Sequence, residues 1–178
     1  INTRPLNSWV TSDVTNRGCT VEDCIAFNQP LSAWDTSSVT NRRCTFRGFT
    51  AFNRLLNSWD TSAVTNLRYT FGGCTAFNQP LNSWVTSAVT NLGGTFGDCT
   101  SFIKHLNSWL PLVISNLRYT FDDSTASNYL LHCWPTTACP KYRSALAART
   151  HCYNHLHPWL TSPHTHLRHT LVAYSTSI

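Results

Sequence analysis

Trp returns at every twenty-fifth position from one end of the chain to the other: Trp9, Trp34, Trp59, Trp84, Trp109, Trp134 and Trp159 are all the tryptophans present. A Leu stands three positions before each one: Leu6, Leu31, Leu56, Leu81, Leu106, Leu131 and Leu156. Seven returns of so large a side chain in one register restrict the chain to tandem repeats whose equivalent positions stack. A unit as short as one such interval cannot bury its apolar side alone, so stability must come from the neighbouring unit. At about 4.8 Å per stacked rung, seven rungs make one rod roughly 30–35 Å long, a single domain rather than two.

Counting positions from Trp, the other apolar columns are Phe at −7 (Phe27, Phe52, Phe77, Phe102), Val or Ile at +5, and Phe at +12 (Phe46, Phe71, Phe96, Phe121). These columns are the expected core. Asn recurs at +7 (Asn16, Asn41, Asn66, Asn91, Asn116), at −6 and at −2, and reads as a structural ladder satisfying backbone groups at corners. A short strand is expected from one residue before Trp to three after it. Beyond Asn66, a good helix N-cap, Leu67, Thr70 and Phe71 show the i, i+3, i+4 spacing of one side of a helical turn. The Gly residues that follow supply a stop. Residues 1–125 form five regular repeats, and residues 126–178 form two degenerate ones read as a C-terminal cap.

The run AFNQPLNSWVTSAVTN, with the TF-G-CT that follows it, resembles the repeat of the BspA-like leucine-rich-repeat surface proteins. The resemblance is strong over residues 1 to about 125. It implies a leucine-rich-repeat-like right-handed coil on secreted or surface-attached proteins, with adhesion and protein binding as the usual roles. The fold expected is therefore an α/β repeat solenoid of seven 25-residue repeats, each a short parallel strand plus a short helical turn. One departure is that the family's Met positions hold Arg17, Arg42, Leu67, Leu92 and Leu117 at +8, and Thr at +11. A buried Thr hydroxyl there is expected to bond the carbonyl four residues earlier.

Charged residues are 12% of the chain and apolar ones 42%, too few charges and too much apolar surface for a disordered chain. No apolar run approaches the 18 or so residues of a membrane helix. The chain contains no Met, so an exported, processed protein is expected, with a piece of a longer chain as the alternative. Eight Cys fall partly into columns, Cys24, Cys74 and Cys99 in one and Cys19 and Cys44 in another. The main reading is a buried ladder of small apolar side chains; Cys19–Cys44 and Cys74–Cys99 are the disulfides to check, and Cys133, Cys139 and Cys152 could staple the C-terminal end.

Arg43, Arg68, Arg118, Arg143 and Arg168 share the +9 column, interrupted by Gly18 and Gly93. Like charges about 5 Å apart repel, so this stripe must lie in water or meet an anion, and it is the best candidate contact surface. Thr at +2 and +6 is spaced wrongly for the flat double Thr array of an ice-binding strand. His residues cluster from His132 onward without promising a metal geometry. No acid pair, nucleophile elbow, phosphate loop or dinucleotide fingerprint is present, so neither an enzyme nor a cofactor is expected. No motif for reading nucleic acid sequence appears.

The reading that results is a non-catalytic scaffold, secreted or on the cell surface, mediating protein–protein contact or surface adhesion. Its partner would be another protein or an anionic surface. The alternatives are a structural linker subunit of a larger assembly, in an organelle lumen or elsewhere, and an ice-binding solenoid.

Overall fold

The computed structural model describes residues 13–16, 18–19, 23–109 and 113–124. Within them the repeats stack one above another, and the backbone shows why. After each column Asn at +7, every second N–H leaves its own repeat for a carbonyl of the next. Leu67, Tyr69, Phe71 and Gly73 donate to Asn91, Gly93, Thr95 and Gly97 at 2.8–2.9 Å. The N–H groups between them turn back locally, Thr70 to Leu67 at 3.0 Å, Gly72 to Tyr69 at 3.2 Å and Cys74 to Phe71 at 2.9 Å. The same alternation runs one repeat earlier and one later.

This pattern corrects the expected fold class. The chain is not an α/β solenoid of strands and helical turns: among the described residues there is no α-helix, and the only β pairing is a set of isolated parallel bridges, Asn16–Asn41–Asn66–Asn91–Asn116. A helix needs successive N–H groups to reach four residues back, whereas here half of them are committed to the next repeat. Two positions per repeat also leave the helical region. In the +10 column, Cys19, Cys44, Tyr69, Gly94 and Tyr119 have φ between 53° and 64°. In the +14 column, Asp23, Gly48, Gly73, Asp98 and Asp123 do likewise, with φ between 49° and 76°. Each is the third residue of an i to i+3 turn or the point where the next turn begins, and a left-handed residue there folds the chain into linked turns. The strand expected around Trp is likewise displaced, since the bridging residue lies seven positions beyond it.

Immediately before each Asn bridge the bonding runs in the reverse sense. Thr65 N–H donates to Thr40 O at 2.9 Å and Thr90 N–H to Thr65 O at 2.8 Å. Their hydroxyls reach the same carbonyls, at 3.3 and 3.2 Å, as does that of Ser115 to Thr90 O at 3.1 Å. These exposed Thr hydroxyls are thus occupied by the backbone, while Thr36, Thr61 and Thr86 at +2 are buried beside Trp. Among the described residues these two columns form no flat outward pair of Thr.

Side chains that turn inward from this ladder and from the turns form the core. Trp34, Trp59, Trp84 and Trp109 stack in one column with centroids 6.1–6.4 Å apart and planes within 8°. Phe46, Phe71, Phe96 and Phe121 form a second column at 5.4–5.5 Å, and Phe27, Phe52, Phe77 and Phe102 a third at 5.8–6.1 Å. The Phe columns touch, as where Phe71 lies 4.3 Å from Phe77. Separations wider than the roughly 4.8 Å between rungs mean offset stacking, worth about 0.5–1.5 kcal/mol per pair beyond area burial. Leu67, Thr70 and Phe71 do share the inward side, as their spacing suggested, but on turns rather than a helix. The Thr70 hydroxyl bonds the carbonyl three residues back, Leu67 at 2.7 Å, rather than four, and also reaches Arg42 O at 3.0 Å.

Cys19, Cys24, Cys44, Cys74 and Cys99 are thiols, so neither candidate disulfide, Cys19–Cys44 or Cys74–Cys99, forms. The sulfurs of Cys74 and Cys99, two of the three buried cysteines, have another task. Cys74 donates to Phe46 O and Cys99 to Phe71 O, each at 2.8 Å, and Ser124 in the same column makes the equivalent bond to Phe96 O. Burial pushes the Cys74 thiol up to about 12 and raises that of Cys99 well above its usual value. Cys133, Cys139, Cys152 and the whole 126–178 segment, with the cap assigned to it, lie outside the described residues.

Candidate functional site

The stripe is built by the Asn ladder beneath it. The side-chain oxygens of Asn41, Asn66 and Asn116 each accept the N–H two residues on, from Arg43, Arg68 and Arg118, at 3.0 Å. Asn16 and Asn91 do the same for Gly18 and Gly93, at 2.8 and 3.0 Å. These N–H groups take no part in the bonding between repeats, so the Asn oxygen satisfies them and starts the run of turns. The +9 residue is thereby held at a corner with its side chain outward. Arg43 and Arg118 are exposed and Arg68 is half-buried; Arg143 and Arg168 lie outside the described residues.

What holds the guanidinium groups is the +10 residue. The guanidinium carbon of Arg68 lies 5.0 Å from the Tyr69 ring centre, and that of Arg118 lies 5.1 Å from Tyr119. Arg118 Nη2 also donates to the Tyr119 hydroxyl at 3.3 Å. Arg47, at +13 of the preceding repeat, also approaches the Tyr69 ring, at 5.6 Å. Arg43 is followed by the buried Cys44 in place of Tyr, and its Nη1 donates instead to the sulfur of Cys19, the +10 residue of the preceding repeat, at 3.1 Å. Arg lying over an aromatic face keeps its charge and loses freedom before any partner arrives.

Tyr69 can take this place because the next repeat carries Gly. A Cβ on Gly94 would fall 2.1 Å from Tyr69 Cε1 and 2.2 Å from Cδ1, so the ring lies directly over the Gly94 backbone. With Gly93 beside it, the fourth repeat contributes no side chain to the stripe. The result is a cationic centre around Tyr69, whose ring covers Gly94 of the next rung, and a second centre at Tyr119, its column residue two rungs or roughly 10 Å further on.

The residue before the stripe faces the other way. Arg42 is fully buried, its Nη2 donating to Asp60 O at 3.0 Å and its guanidinium 4.5 Å from the Trp59 ring centre. Asp60 is held below the usual carboxylate range by the Ser62 N–H and hydroxyl, with the Arg42 charge helping. At the far end, Asp122 is raised by burial and by the neighbouring Asp123 and Asp98. Among the described residues these acids do not gather into a metal-binding group.

The sequence reading found the Arg column but missed Tyr69, Tyr119 and Arg47, which organise it. The dipeptide Arg-Tyr, at 68–69 and again at 118–119, was the available signal.

These features define a tandem-repeat protein of turn-built rungs with one basic, aromatic-buttressed edge. Over residues 1–109, and again over 43–159, the sequence matches the family described as "Mycoplasma protein of unknown function, DUF285", and the chain belongs to that family. No curated protein and no solved structure matches it. Among the described residues no helix is long and apolar enough to cross a membrane.

Proposed function

We propose that this chain is a non-catalytic scaffold of the BspA-like surface-protein kind, secreted or displayed on a cell surface, that adheres to an anionic macromolecular partner through its +9 stripe. DUF285 repeats often occur in such surface proteins, which supports the setting. The observation that carries the reading is the way the stripe cations are held. Among the described residues, the contacts of Arg43, Arg68 and Arg118 are to sulfur and to aromatic rings, which fix a guanidinium without neutralising it. Fixed, unneutralised charges in a row on a rigid stack suit a multivalent anion.

Retention on carboxylate-coated beads tests this. The parent chain should bind at low salt and elute as salt rises. Arg68→Gln/Arg118→Gln should pass through, while Arg54→Gln/Lys104→Gln, which removes the same charge outside the stripe, should still be retained. Equal behaviour of the two double variants would reduce the stripe to bulk charge.

A further inference from the structure

Two exposed acids lie in a column that matches the basic one rung for rung. Asp35 and Asp60 stand at +1 of the second and third repeats, the two repeats whose +9 residues are Arg43 and Arg68. In the fourth repeat both columns are uncharged, with Val85 at +1 and Gly93 at +9. We infer that the anionic partner of the stripe is a second copy of this chain, whose Asp35 and Asp60 pair with Arg43 and Arg68. The inference names a partner for the anion-binding reading above and rests on it.

The acids are held in place as the stripe cations are. Asp35 Oδ1 accepts the Ser37 N–H at 3.0 Å and its hydroxyl at 2.8 Å, and Asp60 Oδ1 accepts the Ser62 N–H at 2.9 Å. Their column is also tied from repeat to repeat, since the Thr36 hydroxyl donates to Asp60 O and the Thr61 hydroxyl to Val85 O, each at 3.1 Å. Two carboxylates and two guanidinium groups are thus each spaced by one rung, about 5 Å. Like charges that close repel within one copy, and the Asp35 charge does work against that of Asp60. Pairing the two columns between copies relieves both repulsions at once. Two acids meet two bases whether the rods lie parallel or antiparallel. Val85, one rung beyond the acid pair and 47% exposed, adds an apolar side chain to the same contact. Because the contact joins unlike columns, it can continue from copy to copy into rows of side-by-side rods, which suits chains displayed together on a surface.

Sedimentation velocity of the purified chain over a range of concentrations is the test. At about 0.05 M salt the parent should show species larger than a monomer that grow with concentration, and these should disappear at about 0.5 M. Asp35→Asn/Asp60→Asn keeps a side-chain oxygen for the Ser37 and Ser62 N–H groups, so it should still melt cooperatively while associating about tenfold more weakly or less. Arg43→Gln/Arg68→Gln should weaken association equally. Asp23→Asn/Asp98→Asn and Arg54→Gln/Arg118→Gln, which make the same charge changes outside the four paired residues, should associate like the parent. A parent that stays monomeric at low salt overturns the inference, as does association that survives either column variant. Carboxylate beads separate it from the reading beneath it, since Asp35→Asn/Asp60→Asn should still be retained there. If the parent is monomeric yet held on the beads, self-pairing fails and adhesion to another anion stands; if it is neither associated nor held, both fail.

Discussion

The indole N–H of Trp84 donates to the carbonyl of Leu56 at 3.2 Å, and that oxygen already accepts the backbone N–H of Trp59 at 3.1 Å. The side chain of one repeat thus completes the turn of the repeat before it. Trp59 on Leu31 and Trp109 on Leu81 make the same bond, at 3.0 and 3.2 Å. Trp84→Phe keeps a ring in the column but removes this bond and leaves space beside it. Urea denaturation should show a loss of about 2–3 kcal/mol.

Arg42 occupies a column that later repeats fill with Leu67, Leu92 and Leu117, all buried. Its partner carbonyl, that of Asp60, also accepts the Thr36 hydroxyl at 3.1 Å, so removing the guanidinium does not strand it. Replacing a buried ion by an apolar residue of similar volume is often neutral or stabilising by about 1–4 kcal/mol. Arg42→Leu should therefore raise the urea midpoint or leave it unchanged. A large loss would show that the stacking of Arg42 on Trp59 outweighs its desolvation.

Gly94 and Tyr69 are coupled across the stripe. Gly94→Ala places a methyl group inside the Tyr69 ring and a side chain at φ 64°, with overpacking costing about 1–3 kcal/mol and the left-handed backbone about 1–2 kcal/mol. Tyr69→Gly relieves its own φ of 53° and clears the space. A double-mutant cycle followed by thermal melting should recover the clash part and leave only the backbone part of the Gly94→Ala loss.

Thiol labelling separates the cysteines by depth. Cys74 and Cys99 are fully buried with raised pKa values, whereas Cys19 and Cys24 are half-buried. Iodoacetamide in native buffer should modify Cys19 and Cys24 first, and Cys74 and Cys99 only under denaturing conditions, as read by peptide mass spectrometry. Rapid native labelling of Cys99 would contradict the closed ladder.

Asp122 holds its proton more tightly in the folded state than its ordinary value of 3.8 implies. Stability from this group is therefore complete below the ordinary value and falls as pH rises through the interval up to the raised one. Asp122→Asn should melt above the parent at about pH 7 and level with it near pH 2.5, where both forms are uncharged. Asp60 has the opposite sign, since its depressed pKa favours the fold above 3.8 and the benefit is lost as pH falls through the lower folded value.

Side-chain columns were readable from the sequence, and the backbone joining them was not. Trp, Leu and Phe at fixed offsets announce stacking because only equivalent residues of adjacent repeats can share a column. Leu67, Thr70 and Phe71 pointed correctly inward, but i, i+3, i+4 spacing does not distinguish a helix from linked turns. The deciding residue is Tyr69 at φ 53°, and nothing in a Tyr side chain signals a left-handed backbone. The stripe was legible as a row of charges for a similar reason: its column is visible, whereas the rings that hold it depend on that same unusual φ. Arg42 and Arg43, adjacent and chemically identical, end up inside and outside the rod because Asn41 fixes the corner between them.

Because each rung spends its outgoing N–H groups on its successor and its Thr N–H on its predecessor, every described internal junction repeats the same backbone bonding. Copying or excising one complete unit keeps that bonding in register wherever facing side chains fit, as Tyr69 fits Gly94, while gaining or losing a single residue throws each column out of phase. The reach of such a protein is thus adjustable in steps of one rung, by duplication alone, without any new interface having to evolve.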